Sequence, residues 1–479
     1  RGLNKVRTAL AAAPRPRGVS VDAGPTTAPI AAPSSPPSVS VDAPTEPPTS
    51  PMSPLSVAEE SVDMDRLEGL DDNGIFLEFC DAPTAPAALA YFDALCDNVG
   101  IQPGEGFAGT FTPLASTIVH WRAQRLFRLL QKRAAQPEYK TRPAAKSHVV
   151  IIGAGPAGSR AAIEASLLGA RVSLLEKRPN FTRNNILHLW PFAIEDLKML
   201  GGKLIFQQLC SGGINHVGIR QLQLILLKLV LLIGVRFVSV AFKGFTPPLD
   251  GRSGYTVQTE PPVDLGEIDC LMVGAGVRNP VPGFETKKCG GQKQAIGITA
   301  NFVNRGTRAE LQVSELPGLA LHFNQALFKG LEKAKGIGLE NIVYYRGETH
   351  YFVCTAKKQS LFDKGVLKDD LPRDELMNRE NIDRTQLHTF CRDLAQHLTD
   401  LPPETLHDFA PNAHGAPDVD IFDFTNMWNA AHAGKVLEKG GRRLLVLLVG
   451  DCLLMPFWPK GTGAAHATLS ALDAAWSLR

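Results

Sequence analysis

Gly153, Gly155 and Gly158 stand in the spacing G-x-G-x-x-G, as GAGPAG, and they are the residues of this chain best placed to do chemistry. The apolar run Val149–Ile152 before them reads as a buried strand, and the Ala-rich stretch after them, closed by Gly169, reads as a helix. In that context each position has a task. Gly153 permits a tight turn, Gly155 lets the backbone approach a pyrophosphate, and Gly158 lets helix and strand pack closely. The helix N-terminus around Ala157 offers amide donors to phosphate oxygens. A second strand, Arg171–Leu175, runs into Glu176, followed by Lys177 and Arg178. A carboxylate at that strand end accepts ribose hydroxyl bonds and repels a 2′-phosphate, so this site suits FAD or NAD better than NADP. The glycine motif does not choose between FAD and NAD.

The choice comes from the other end of the chain. Leu444–Leu454 reads LLVLLVGDCLL, a strand ending in Gly450-Asp451. Then follow Pro456, Phe457, Trp458, Pro459, Lys460, Gly461, Thr462 and Gly463, and an Ala-rich helix. Asp451 suits a ribityl hydroxyl. The amides from Gly461 to Ala464 suit the pyrimidine edge of a flavin, where negative charge develops on reduction. A two-part site, its halves about 300 residues apart, points to FAD.

The elements that must position these residues follow from the rest of the sequence. With 479 residues the chain is long enough for more than one domain and a large core. Its net charge of +2 gives no case for nucleic-acid binding. The 8 cysteines show no metal-ligand spacing, so no metal site is expected and the thiols read as reduced, in a cytosolic protein. The longest apolar stretch, Leu222–Val235, is interrupted by Lys228 and is too short for a membrane span. The chain begins at Arg1, which suits a fragment or a processed form.

Residues 1–75 are rich in Pro, Ala, Ser and Thr and are expected to be a disordered tail. Residues 76–145 read as an N-terminal helical segment, with apolar spacing over Ala87–Leu95 and Leu114–Leu130. The second of these has a basic face, Arg122, Arg125, Arg128, Lys132 and Arg133, that suits an acidic partner. Residues 146–296 form the first part of the nucleotide domain, with a helix over Ile219–Gly234, a strand over Val235–Ala241 and another over 268–276. Residues 297–425 change character. Strands are expected at Ile296–Phe302, Gly318–Phe323, Ile342–Tyr345 and Thr349–Ala356, and a helix at Ile382–Leu398. Residues 426–479 return to the nucleotide domain. The fold class is α/β: an FAD-binding, Rossmann-like parallel-sheet domain with an inserted α+β substrate domain and N-terminal helices.

The stretches LLEKRPNFTRNNILHLWPFAIEDLKMLG, HVGIRQLQLILLKLVLLIGV, AIGITANFVNRGT, LENIVYYRGETHYFVCTAKKQSLFDKGVL, PDVDIFDFTNMW and VGDCLLMPFWPKGTG resemble the monooxygenase domain of the MICAL family. That domain is a class A flavoprotein monooxygenase, and the resemblance runs from about residue 76 to the end. It implies an enzyme that uses FAD, NADPH and O2 to oxidise methionine side chains of filamentous actin. The filament then disassembles, and hydrogen peroxide is released when the reaction is uncoupled. It also implies a cytoplasmic, cytoskeleton-associated protein and further calponin-homology or LIM domains beyond this chain.

By position, the resemblance makes Glu176 the adenosine-contacting acid, with Lys177 and Arg178 its cofactor-binding neighbours, and Arg183 and Asn185 flavin-side residues. Asp451 becomes the Gly-Asp acid, and Pro459, Gly461 and Gly463 the flavin loop. Trp458 falls beside the isoalloxazine ring. Arg220 and Gln223 fall where the wider class contacts the flavin, and Tyr345 on a strand bordering the cavity. A thioether sulfur is soft and needs no general base, so no catalytic triad is expected, and Trp458 and Tyr345 are the candidate catalytic residues. The chain departs from the family's usual pattern at Gly276-Val277, at Met455 and at His466-Ala467. Two other readings share the same residues: an NADPH oxidase that makes peroxide, and a catalytically degenerate FAD-binding actin scaffold.

Overall fold

Strand His148–Ile152 is buried at every position because both faces of its sheet are covered. A computed structural model describes residues 69–206, 215–249, 253–289, 295–320, 324–372, 375–424, 427–456 and 461–479. In it this strand lies at the centre of a six-stranded sheet. In spatial order the strands are Gly434–Lys439, Arg442–Leu448, Cys270–Val273, His148–Ile152, Arg171–Leu175 and Arg236–Val238. All neighbours are parallel except the edge pair 434–439 and 442–448. Alternate side chains serve two cores. Val149, Ile151, Val172, Leu174 and Met272 face a helical layer that includes Pro156–Leu167, Ile219–Leu232 and Gly463–Trp476. Val150, Ile152, Leu175, Leu271 and Val273 face a three-stranded antiparallel sheet of residues 241–246, 255–260 and 267–268.

The N-terminal helices extend the helical layer. Asp71 caps helix Asp72–Asp81 by accepting from the Gly74 amide at 2.9 Å. Ordered structure therefore begins inside the stretch expected to be disordered; residues 1–68 lie outside the described residues. Phe76, Phe79, Phe92 and Phe127 pack with ring centroids 5.7–6.3 Å apart. Lys228, which broke the apolar run in the sequence, is buried here. Its ammonium donates to the carbonyls of Cys80 and Ala82 at 2.7 and 2.8 Å, satisfying the C-terminal end of helix 72–81.

Two expected elements are interrupted. Leu114–Leu130 is not one helix. Asn73 Oδ1 accepts from the amides of Val119 and His120 at 3.1 and 2.8 Å, and a new helix, Trp121–Ala134, starts after that break. Val235–Ala241 is not one strand. The chain leaves the parallel sheet after Val238, turns with Val240 N donating to Val238 O, and enters the three-stranded sheet at Ala241. The basic face also divides. Arg122 turns inward to Asp81 and to the carbonyls of Leu204 and Ile205. Arg133 joins a buried ion cluster, which leaves Arg125, Arg128 and Lys132 exposed.

That cluster fixes the glycine-motif helix. Arg160 binds Asp196 at 2.6 and 3.0 Å and Glu164 at 2.9 Å. Glu164 also accepts from Tyr139 at 2.7 Å and from the Trp476 indole at 2.8 Å. Five helices, 121–134, 137–140, 156–167, 191–199 and 463–476, thus meet on one set of buried charges.

The inserted region is an antiparallel sheet in the order 316–320, 339–346, 349–356, 296–303 and 419–423. Helices Gln325–Lys335 and Arg384–Thr399 cover one face. The other face carries Val343, Tyr345, Tyr351 and Val353, which pack on Ile186 of the nucleotide domain. The two regions are joined by a ribbon, Thr286–Lys288 paired with Trp428–Ala430.

Candidate functional site

The glycine loop has the shape its sequence implies. Gly153 has φ +92°, and a Cβ there would stand 2.6 Å from the Gly274 carbonyl oxygen. A Cβ on Gly158 would stand 2.0 Å from the Gly153 oxygen, so only glycine allows this approach of helix to strand. At Gly155, the helix N-cap, a Cβ would meet nothing within 4 Å. There the loop faces open space with the first-turn amides behind it, which is the geometry a pyrophosphate requires.

Glu176 ends the second strand and is 3 % exposed. Its carboxylate accepts from the Ala154 amide at 3.0 Å, the Arg178 amide at 3.0 Å, and the Arg178 guanidinium at 2.9 and 2.8 Å. Burial alone would raise its pKa. The Arg178 bonds and charge, with the two amides, outweigh burial and hold the carboxyl below its ordinary value. Lys177 beside it is exposed.

The Gly450-Asp451 turn meets this loop from the other side. Gly450 has φ +62°, and a Cβ there would lie 2.8 Å from the Ala157 methyl. Gly450 N is held by Ser470 at 2.9 Å. The last strand and the C-terminal helix are thereby seated on the glycine motif, and Asp451 is brought to the same cradle. Burial pushes the Asp451 carboxyl above its ordinary value, and the nearby charges of Arg183 and His466 offset part of that.

Gln223, on the helix after Gly218, donates to the Ala154 carbonyl at 3.3 Å, which places it at the loop. Asn185 donates to the Tyr351 hydroxyl at 3.0 Å, joining the nucleotide domain to the inserted sheet. Tyr345, the cross-strand partner of Tyr351, packs on His216 with centroids 3.7 Å apart and the rings tilted by 33°. The Arg220 guanidinium pairs with Glu348 of the inserted sheet's 346–349 turn at 2.5 Å. Gly461 O accepts from the Trp190 indole at 3.2 Å, and Gly463 begins the C-terminal helix. Trp458 and Pro459 lie outside the described residues. Tyr351 and His188 were missed in the sequence. The His188 side chain sits under Gly461, where a Cβ would lie 3.1 Å from its own Cβ.

The residues fit FAD. Ser159 Oγ, Gln223 Oε1, His188 Nδ1 and His466 Nδ1 are buried without hydrogen-bond partners among the described residues. Two of these belong to residues beside the loops: Gln223 is bonded to Ala154 O at the glycine loop, and His188 lies under Gly461. Of the departures, Gly276 accepts from the Cys452 thiol, Val277 is exposed, and His466 stands near enough to Asp451 to offset part of the rise that burial imposes on its carboxyl.

A family model described as "Mical, Rossman domain" matches residues 294–423. These residues build the inserted antiparallel sheet; the parallel sheet lies outside them. A second model, "Alanine dehydrogenase/PNT, C-terminal domain", matches residues 140–188, the span of the glycine motif. The protein-methionine sulfoxide oxidase mical3a of Danio rerio is 47% identical over 415 residues, 85% of this chain and 21% of that protein. Over this span the chain belongs to the MICAL family. The F-actin monooxygenase MICAL3 of Homo sapiens is 46% identical over 415 residues, 85% of this chain and 21% of that protein. For MICAL1 of Homo sapiens the identity is 46% over 411 residues, 84% of this chain and 38% of that protein. The chain therefore spans about a fifth to two fifths of the length of the curated relatives it matches. A solved ternary complex of aklavinone-11 hydroxylase with FAD and aklavinone gives a TM-score of 0.47 at 15% identity, over 70% of this chain and 62% of that chain.

Proposed function

We propose that this chain is the flavoprotein monooxygenase domain of a MICAL protein. It takes electrons from NADPH and oxidises methionine side chains of filamentous actin to the sulfoxide, which promotes disassembly of the filament. The observation that carries the reading is the seat of Gly450 on Ala157. It makes one cradle from a glycine loop and a Gly-Asp turn that are far apart in the sequence. The relatives' names, F-actin monooxygenase and protein-methionine sulfoxide oxidase, support the substrate.

FAD bound in this cradle would supply hydride acceptance and oxygen activation. The chain's own residues have positioning work. The helix amides from Gly155 onward would hold the pyrophosphate, Glu176 the adenosine ribose and Asp451 the ribityl chain. Gln223, Asn185, Arg183 and His188 line the flavin side. Tyr351 and Tyr345 would border the flavin side from the inserted sheet, packed with Ile186, Val343 and Val353. Trp458 would hold the ring or the methionine by stacking and sulfur–aromatic contact. Lys177, Arg178, Arg220, Pro459, Gly461 and Gly463 complete the set. The protein would act in the cytoplasm at the actin cytoskeleton.

The test is to purify residues 69–479 and follow visible absorbance during NADPH addition, with and without filamentous actin. Flavin bands, NADPH oxidation accelerated by actin, and sulfoxide on actin methionines are expected. An actin-independent rate with hydrogen peroxide as product marks an NADPH oxidase instead. Flavin that NADPH never reduces marks a scaffold, and a chain without flavin overturns the reading.

A further inference from the structure

A groove of about 540 Å³ lies between helix Trp121–Ala134 and the segment 198–204. Trp121, Arg125 and Leu129, at i, i+4 and i+8 on that helix, form one wall; Lys198, Lys203 and Leu204 contribute to the other. None of the lining residues is acidic. Arg122 is spent on Asp81 and backbone carbonyls, and Lys198 is shared with Glu195 at 2.7 Å. Among the described residues neither Arg125 nor Lys203 has a carboxylate partner. Trp121 is 62 % exposed. Met199 and Phe206, which flank the opposite wall in the chain, are each 42 % exposed. Large apolar side chains beside unpaired cations are a costly surface to leave in water and a common feature of interface hot spots.

We propose that this groove docks an acidic segment of a partner protein, with an apolar side chain of that segment against the Trp121 indole and its carboxylates at Arg125, Lys198 and Lys203. Charge complementarity sets the sign of the partner. The indole sets its kind, because a small inorganic anion satisfies the cations and leaves the ring in water. The groove is separate from the flavin cradle, and the proposal does not rest on the flavin reading. Helix Pro191–Met199 relates the two sites. Trp190 at its N-terminal end touches Gly461, and Lys198 at the other end lines the groove. Nine residues of helix span roughly 13 Å. A protein anchored in the groove is thereby held beside the cradle, which raises the effective concentration of its other segments there.

The experiment uses the full chain as purified and a fluorescein-labelled Asp/Glu-rich peptide with a central Phe, read by anisotropy at low and high salt. Inorganic phosphate and NADP+ are the competitors. Saturable, salt-sensitive binding is expected. It should weaken at least about tenfold in the pair Arg125→Glu/Lys203→Glu and again in Trp121→Ala, with circular dichroism and flavin content unchanged. Equal binding by these variants, no binding by the parent chain, or displacement by phosphate or NADP+ at concentrations that do no more than match the peptide would overturn the proposal. A chain lacking flavin that still binds the peptide leaves this proposal standing while the flavin reading fails.

Discussion

Arg178 closes on Glu176 with two guanidinium bonds, at 2.9 and 2.8 Å, and the Arg178 amide adds a third at 3.0 Å. With the Ala154 amide, every acceptor direction of the buried carboxylate is engaged. A ribose that binds Glu176 therefore competes with Arg178, and the acid holds the glycine loop and the adenosine strand together even before a ligand arrives. Glu176→Gln should lower flavin affinity by about tenfold to a hundredfold, the value of a charge-assisted hydrogen bond. Titration of the apoprotein with FAD, read by quenching of flavin fluorescence, measures it; unchanged affinity would remove Glu176 from the site.

The glycine loop predicts a contrast between neighbours. Gly155→Ala places a methyl in open space, so the fold should keep its stability to within about 1 kcal/mol while flavin binding is lost. Gly158→Ala drives a methyl against the Gly153 carbonyl and should cost about 3 kcal/mol or more. Urea unfolding and flavin content, measured on both variants, separate the two roles.

The buried ion cluster predicts an acid-sensitive term. Burial would raise the carboxyls of Glu164 and Asp196, but the charge of Arg160 leads the effects that hold both below their ordinary values. Their contribution to stability is complete above the unfolded-state carboxylate pKa of about 4 and is lost as pH falls through the lower folded values. Asp196→Asn should cost about 3 kcal/mol at neutral pH, because it strands part of the Arg160 charge. The gap between parent and variant in urea melts should narrow as pH falls below about 4.

Lys228 behaves in the opposite sense. Burial lowers its pKa to about 8, below the unfolded value. The unfolded chain then holds the extra proton between about 8 and 10.5, so this group's contribution to stability improves as pH rises through that window. Comparison with Lys228→Met at neutral pH and near pH 9.5 should show the parent gaining about 2 kcal/mol relative to the variant. A constant difference would mean that the ammonium is not desolvated.

The parts of this protein that are written locally could be read from its sequence. The glycine motif, its flanking strands and the Gly450-Asp451 turn each announce themselves within a dozen residues. The parts that depend on distant chain meeting could not. The strand carrying Tyr345 was legible, but it is Tyr351, on the next strand, that makes the bond to Asn185. Strand Thr349–Ala356 is buried at every position, so no alternation marked which side chains face the nucleotide domain. Arg160 and Glu164 are an ordinary helical pair by spacing. Only the arrival of Asp196, Tyr139 and Trp476 makes them a core. The break at Val119 and His120 is fixed by Asn73, a residue on another helix, and the local signals, the β-branched run Thr117–Val119 and the His120 cap, are weak by themselves.

The ribbon of residues 286–288 and 428–430 has a consequence for modularity. The chain departs toward the inserted sheet and comes back side by side, with Cys289 N on Met427 O at 2.7 Å. Such a doorway lets the whole intervening cassette be exchanged for a relative's without retying the nucleotide fold. The same strands tie Asn429 and Ala430 to Met455 and Leu453, just ahead of the flavin loop. A transplanted cassette would thus bear on the segment ahead of Gly461 as well, making chimeras a direct way to ask which half of the molecule chooses what is oxidised.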